Sequence, residues 1–94
     1  MSSRPNSDEI QRREHQEALI RVLSLDLETA HSLLDSAQLT TNSARIPTLL
    51  EKARKALETI HLLMGRIEDP VVWEDIYGRT NTLEDRIAAL SQKQ

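Results

Sequence analysis

Two segments of the chain place a glutamate one helical turn ahead of a histidine. Glu28 and His31 lie in LETAHSLL (residues 27–34), and Glu58 and His61 in LETIHLLM (residues 57–64). Three residues apart on a helix, a carboxylate and an imidazole share one face, and both groups can ligate a metal ion. In an antiparallel hairpin turning near Thr41, Glu28 and Glu58 would fall within about one helical turn of each other along the axis, with the histidines flanking them. Asp26 and Asp75 are the nearest further carboxylates. The candidate metal set is therefore Glu28, His31, Glu58 and His61. The competing account is boundary packing, and it is favoured. On both helices the histidine sits at the edge of the apolar stripe, with the glutamate a step closer to solvent.

Two resemblances attach to these residues. A Glu-x-x-His motif on each of two facing helices resembles half of a ferritin-like dinuclear carboxylate site, which implies a metal held in a helical bundle. The inward-pointing glutamates that complete such a site have no counterpart here unless a second chain supplies them. His61-x-x-x-Gly65 resembles the phosphoaccepting segment of histidine phosphotransfer domains, which are four-helix bundles, and implies His61 as the acceptor. That resemblance covers five residues. Met64 stands where the family has lysine, and a fourth core helix would have to come from dimerisation. There is no Gly-rich phosphate loop, Gly-x-Ser-x-Gly elbow or His-Glu-x-x-His. The adjacent carboxylates Glu74-Asp75 and Glu84-Asp85 point to different faces of a helix. The expectation is a non-enzymatic protein with no catalytic residues and no cofactor.

The Glu-Thr-x-His match recurs at an offset of 30 residues, and Leu19-Ile20 falls on Leu49-Leu50 at the same offset. Apolar coincidence is expected of any two amphipathic helices. The shared polar residues are harder to obtain by chance and suggest a duplicated helix, although two copies do not make a solenoid.

The elements that would position these residues follow from the spacing of apolar side chains. Leu19, Ile20, Leu23, Leu27, Ala30, Leu34 and Ala37 form one stripe, with Val22 and Leu33 widening it. A second runs through Ile46, Leu49, Leu50, Ala53, Leu57, Ile60 and Met64. A third takes Val72, Trp73, Ile76, Leu83, Ile87 and Leu90. Leu25 lies nearly opposite Leu27, and Leu62 also falls outside its stripe. Residues 8–17 carry charge pairs four apart (Asp8–Arg12, Glu9–Arg13, with Glu17–Arg21 following) and only Ile10 as a strong apolar residue. They read as a helical overhang with little core.

Ser7 is expected to cap the first helix, Asn42 or Ser43 the second, and Asp69 ahead of Pro70 the third. Gly65 is expected to end the second helix in the left-handed conformation. Gly78–Thr82 is a weak helical stretch, but Ile76, Leu83, Ile87 and Leu90 keep phase across it, which predicts one continuous helix. The reading is all-α: an antiparallel three-helix (up-down-up) bundle, with helices at about 8–38, 44–64 and 70–90. Residues 1–7 and 92–94 are expected to be disordered ends, and the bundle could dimerise into a larger one.

Composition sets the remaining bounds. Ninety-four residues hold one domain, and 2% aromatic content leaves a lean aliphatic core. A net charge of −3 opposes a sequence-independent grip on nucleic acid. The absence of cysteine removes disulfides and thiolate sites. No long apolar run suggests a signal or a membrane span, so a cytoplasmic setting without membrane contact is expected. The expected partner is another protein or the chain itself, with Leu25, Leu62 and the Trp73–Tyr77 pair as candidate contacts.

Overall fold

A computed structural model describes residues 7–92. It has three α-helices: α1 (Ser7–Leu39), α2 (Ile46–Met64) and α3 (Pro70–Gln92), with a short 3-10 turn at Ser43–Arg45 ahead of α2. There is no strand among the described residues. The fold is an up-down-up three-helix bundle, as the stripes predict. Residues 1–6 and 93–94 of the expected disordered ends lie outside the described residues. Ser7 and Gln92 are helical, so Ser7 lies within the helix and does not stand outside it as its cap.

The core is narrower than the apolar stripes. On α1 the buried residues are Leu23, Leu27, Ala30, Leu34 and Ala37, at alternating steps of four and three. On α3 they are Ile76, Thr80, Leu83, Ile87 and Leu90, at the same steps. On α2 the same alternation runs Leu50, Ala53, Leu57, Ile60 and Met64, with Leu57 half-buried. Strict four-three spacing is the heptad pattern of coiled coils, with these residues at positions a and d. It lets every helix keep one seam toward the bundle axis over its length. Val22, expected to widen the stripe of α1, falls outside the seam and is 45% exposed.

Thr80 fills a core position that the hydrophobic pattern passed over, because it is polar. Its hydroxyl donates to the Ile76 carbonyl at 2.7 Å and rests 3.6 Å from the Met64 sulfur. A buried hydroxyl is tolerated when its hydrogen bond is made, and the carbonyl one turn back supplies the acceptor. Helix α3 accordingly runs unbroken through Gly78.

Local chemistry closes the connectors. Asn42 caps the 3-10 turn and not α2 itself, its side-chain oxygen accepting from the Ala44 amide at 3.1 Å. Arg45 precedes α2 without a side-chain cap, and Pro47 occupies the opening turn. Asp69 starts α3 as expected, accepting from the Val71 amide at 2.9 Å. Between α2 and α3 the Gln16 side chain clasps the connector, donating to the Arg66 carbonyl at 2.9 Å and accepting from the Glu68 amide at 3.0 Å. Residues 7–15 of α1 project beyond this clasp and are all exposed. Arg12 ties them to the connector, pairing with Glu68 at 3.2 Å. Neither Asp8–Arg12 nor Glu17–Arg21 forms.

Gly65 departs from expectation. It has φ −62° and ψ −13°, right-handed like the helix before it. The last turn tightens instead, with Arg66 and Ile67 amides reaching the Leu63 and Met64 carbonyls at 3.0 and 3.1 Å. These bonds to the third residue back satisfy carbonyls that a left-handed cap would otherwise serve. A Cβ built at Gly65 meets nothing closer than the Leu62 carbonyl at 4.0 Å. Gly65→Ala should therefore stabilise the fold by roughly 0.4–1 kcal/mol, through reduced freedom of the unfolded chain. Thermal melting checks it: a rise of a few degrees is expected, and a fall would mean a left-handed residue is required there.

Candidate functional site

With the seam fixed, the edges of each helix are fixed too. In heptad terms the e edges of α1 and α2 both face α3, and their g edges face each other. Leu19, Leu33, Ala56 and Leu63 occupy the g edges and pack against the core, and Leu49 on the g edge of α2 is itself buried, so the α1–α2 contact is mostly apolar, with Asp26 half-buried on the same edge of α1. His31 and His61 both occupy e edges and turn toward α3. The repeated Glu-Thr-x-His segment thus carries one boundary position twice.

His31 receives a hydrogen bond from Arg86, Nη1 to Nδ1 at 2.9 Å. Arg86 also donates to Asp35 at 2.8 Å and Gln38 at 2.9 Å. One guanidinium therefore ties α3 to three side chains of α1. His61 meets Glu84 of α3, Nε2 to Oε1 at 2.6 Å, with both side chains about half exposed. On the same seam Arg54 of α2 donates to Ser91 of α3. Glu28 and Glu58 point to solvent, and Asp75 pairs with Arg79 at 3.9 Å.

The expected meeting of Glu28, His31, Glu58 and His61 at the α1–α2 seam does not occur. The two histidines leave that seam for opposite sides of α3. No group of three or more His, Asp or Glu side chains among the described residues is placed to hold a metal ion. For the phosphoacceptor resemblance, His61 Nε2 is engaged by Glu84, and the described residues supply three helices.

Trp73 and Tyr77 stack at 4.8 Å between centroids and 12° between planes. They form, with His61, Met64 and Thr80, a shallow hollow at the α2–α3 seam. Trp73, assigned to the core stripe by its spacing, is 37% exposed. It lines that hollow together with Gly65, which has no side chain to cover it.

The outward face of α1 differs from those of α2 and α3. Ala18, Val22 and Leu25 run along it at steps of four and three and are all exposed, Leu25 by 55%. Thr29, Ser32, Ser36 and Leu39 continue the same spacing toward the C-terminal end. Gln11 and His15 continue it onto the overhang. From residue 11 to 39 this stripe contains no Asp, Glu, Lys or Arg. The equivalent faces of α2 and α3 carry Lys52, Lys55 and Arg66, and Asp75 and Asp85. An open groove beside it is floored by Ala18, Leu19, Val22 and Leu63 and rimmed by Arg12, Arg66 and Glu68. Leu25 is legible in the sequence as an apolar residue off the core stripe; the outward stripe is not, because its signal is a missing charge and not a run of apolar residues.

No protein-family model, curated protein or solved structure matches the chain. Its own geometry must carry the functional argument.

His31 provides a pH test of the α1–α3 contact. Guanidinium has no acceptor, so Nδ1 must accept, which requires the neutral ring. Burial is the largest influence holding the His31 pKa below 6.5, followed by Arg86; Asp35 pulls upward and Arg79 adds to the lowering. Below the unfolded value the unfolded chain takes up the proton first. The His31 contribution to stability is therefore present above about pH 6.5 and lost as pH falls through the folded value. Between about pH 7.5 and about pH 5.5, urea unfolding should show a smaller loss of stability in His31→Gln, whose amide oxygen still accepts from Arg86. Equal losses in both proteins would contradict this role.

Proposed function

We propose that the chain is a non-enzymatic, cytoplasmic helical module that acts through protein–protein contact at the outer face of α1. The observation that supports this most is the uncharged heptad stripe from residue 11 to 39, with Val22 and Leu25 exposed at its centre. A solvated helix face is ordinarily charged, and the outer faces of α2 and α3 are. Helices pack on one another along stripes of this four-three spacing, and here Ala18, Val22 and Leu25 give the stripe an apolar centre flanked by uncharged polar residues.

The polar side chains with catalytic potential fit this reading. His31, His61, Glu84 and Arg86 are engaged in helix–helix bonds. No helix among the described residues is long and apolar enough to cross a membrane.

A photo-crosslinking residue placed at position 25, compared with one at position 55 on the outer face of α2, tests the reading in lysate of the native cell. Position 25 should give discrete protein adducts and position 55 none. Absence of adducts at 25, or the same adducts at both positions, would refute an interaction role for this face.

A further inference from the structure

We infer that the occupant of the α1 outer face is a second copy of this chain, packed antiparallel along α1. The inference rests on the interaction reading above and specifies its partner. Its first support is the length of α1. This helix has 33 residues, against 19 for α2 and 23 for α3. The bundle ends at the Gln16 clasp, yet Gln11 and His15 prolong the uncharged stripe past that end. A charge-free stripe that continues where the chain's own core has stopped suits a second helix lying along it. In an antiparallel pair centred between residues 23 and 24, Val22 packs on Leu25 of the partner subunit and Ala18 lies level with Thr29 of the partner subunit. The overhang of each copy then lies along the Ser32–Ser36 segment of the other, over a bundle that supports it.

Charge supplies the second support. Arg21 and Glu28 flank the stripe on one edge, both exposed, and no ion pair is made by either. Seven residues apart, they stand two turns from each other on their own helix, about 10 Å, too far to pair. The antiparallel two-fold axis that stacks Val22 on Leu25 of the partner subunit also sets Arg21 opposite Glu28 of the partner subunit, and the reverse. One operation therefore matches the apolar centre and makes two complementary ion pairs. The outer residues of that edge, Glu14 and Asp35, face each other across the pair, where Arg86 already neutralises Asp35. A parallel pair would instead seat Arg21 on Asp26, which is half-buried on the edge facing α2.

The test is sedimentation equilibrium of the full chain through the micromolar range, with circular dichroism of every variant. The native chain should approach twice its 10.7 kDa mass. Leu25→Glu should be monomeric with an unchanged helical signal, and it should melt as the native chain does at concentrations too low to dimerise, since the side chain it alters is exposed in a single copy. Arg21→Glu and Glu28→Arg should each weaken the dimer by tenfold or more, and the double variant should restore it.

A monomer at every concentration would overturn the proposal. So would a dimer that Leu25→Glu leaves intact, or one that the double charge reversal fails to restore, the latter being the result expected of parallel packing. A monomeric chain that still crosslinks to another protein at position 25 would overturn the second copy alone and leave the interaction reading standing.

Discussion

Everything in this molecule depends on the four-three alternation of small and medium aliphatic residues along three helices. The alternation fixes which side of each helix faces the axis, and so which residues stand at each edge and which are left outside. With almost no aromatic volume available, the bundle is filled by Leu, Ile, Ala, Met and one threonine. Ala30, Ala37 and Ala53 in the seam allow close approach. The apolar edge residues of α1 and α2 extend the core between those two helices, while α3 is tied on by polar bonds from Arg86, Glu84 and Ser91.

That asymmetry explains the fate of the two histidine segments. A hydrophobic pattern on one helix says which face is apolar. It does not say which neighbour stands at each edge of that face. Glu28, His31, Glu58 and His61 could be placed on helices and at boundary positions from the sequence. Whether they met depended on where α3 lay, and α3 takes the edge that both histidines occupy. Gly65 departs from its sequence pattern for a different reason. Glycine after a helix usually marks a left-handed cap, but three-residue bonding closes this helix without one. Thr80 was passed over because its hydroxyl is satisfied by its own helix, a bond that composition does not reveal. The cap at Asp69 is legible because it rests on local chemistry alone, whereas Asn42 caps the 3-10 turn that intervenes before α2 and not α2 itself.

The same seam defines what remains for function. A helix that gives two of its seven positions to a core and two to the edges has an outer face free of that demand. On α2 and α3 that face carries the charges that ordinarily keep a small domain apart from its neighbours. On α1 it carries none for four heptads, and the helix runs past the end of the bundle. Helix α1 has one inward seam, shared with α2 and α3, and we propose that its outward face is a second, complementary to that of another copy through Val22, Leu25, Arg21 and Glu28.

The most direct measurement of that claim is the distance between spin labels on two copies, attached through Thr41→Cys in a chain that otherwise has no cysteine. Thr41 lies in the connector after α1, outside the outward stripe. Antiparallel packing centred between residues 23 and 24 sets the two labels at opposite ends of the dimer, about 52 Å apart along the axis at helical rise. A pulsed dipolar distribution centred near that separation is the predicted result. A distribution concentrated near the width of one bundle, or no intermolecular dipolar signal at all, would contradict the account.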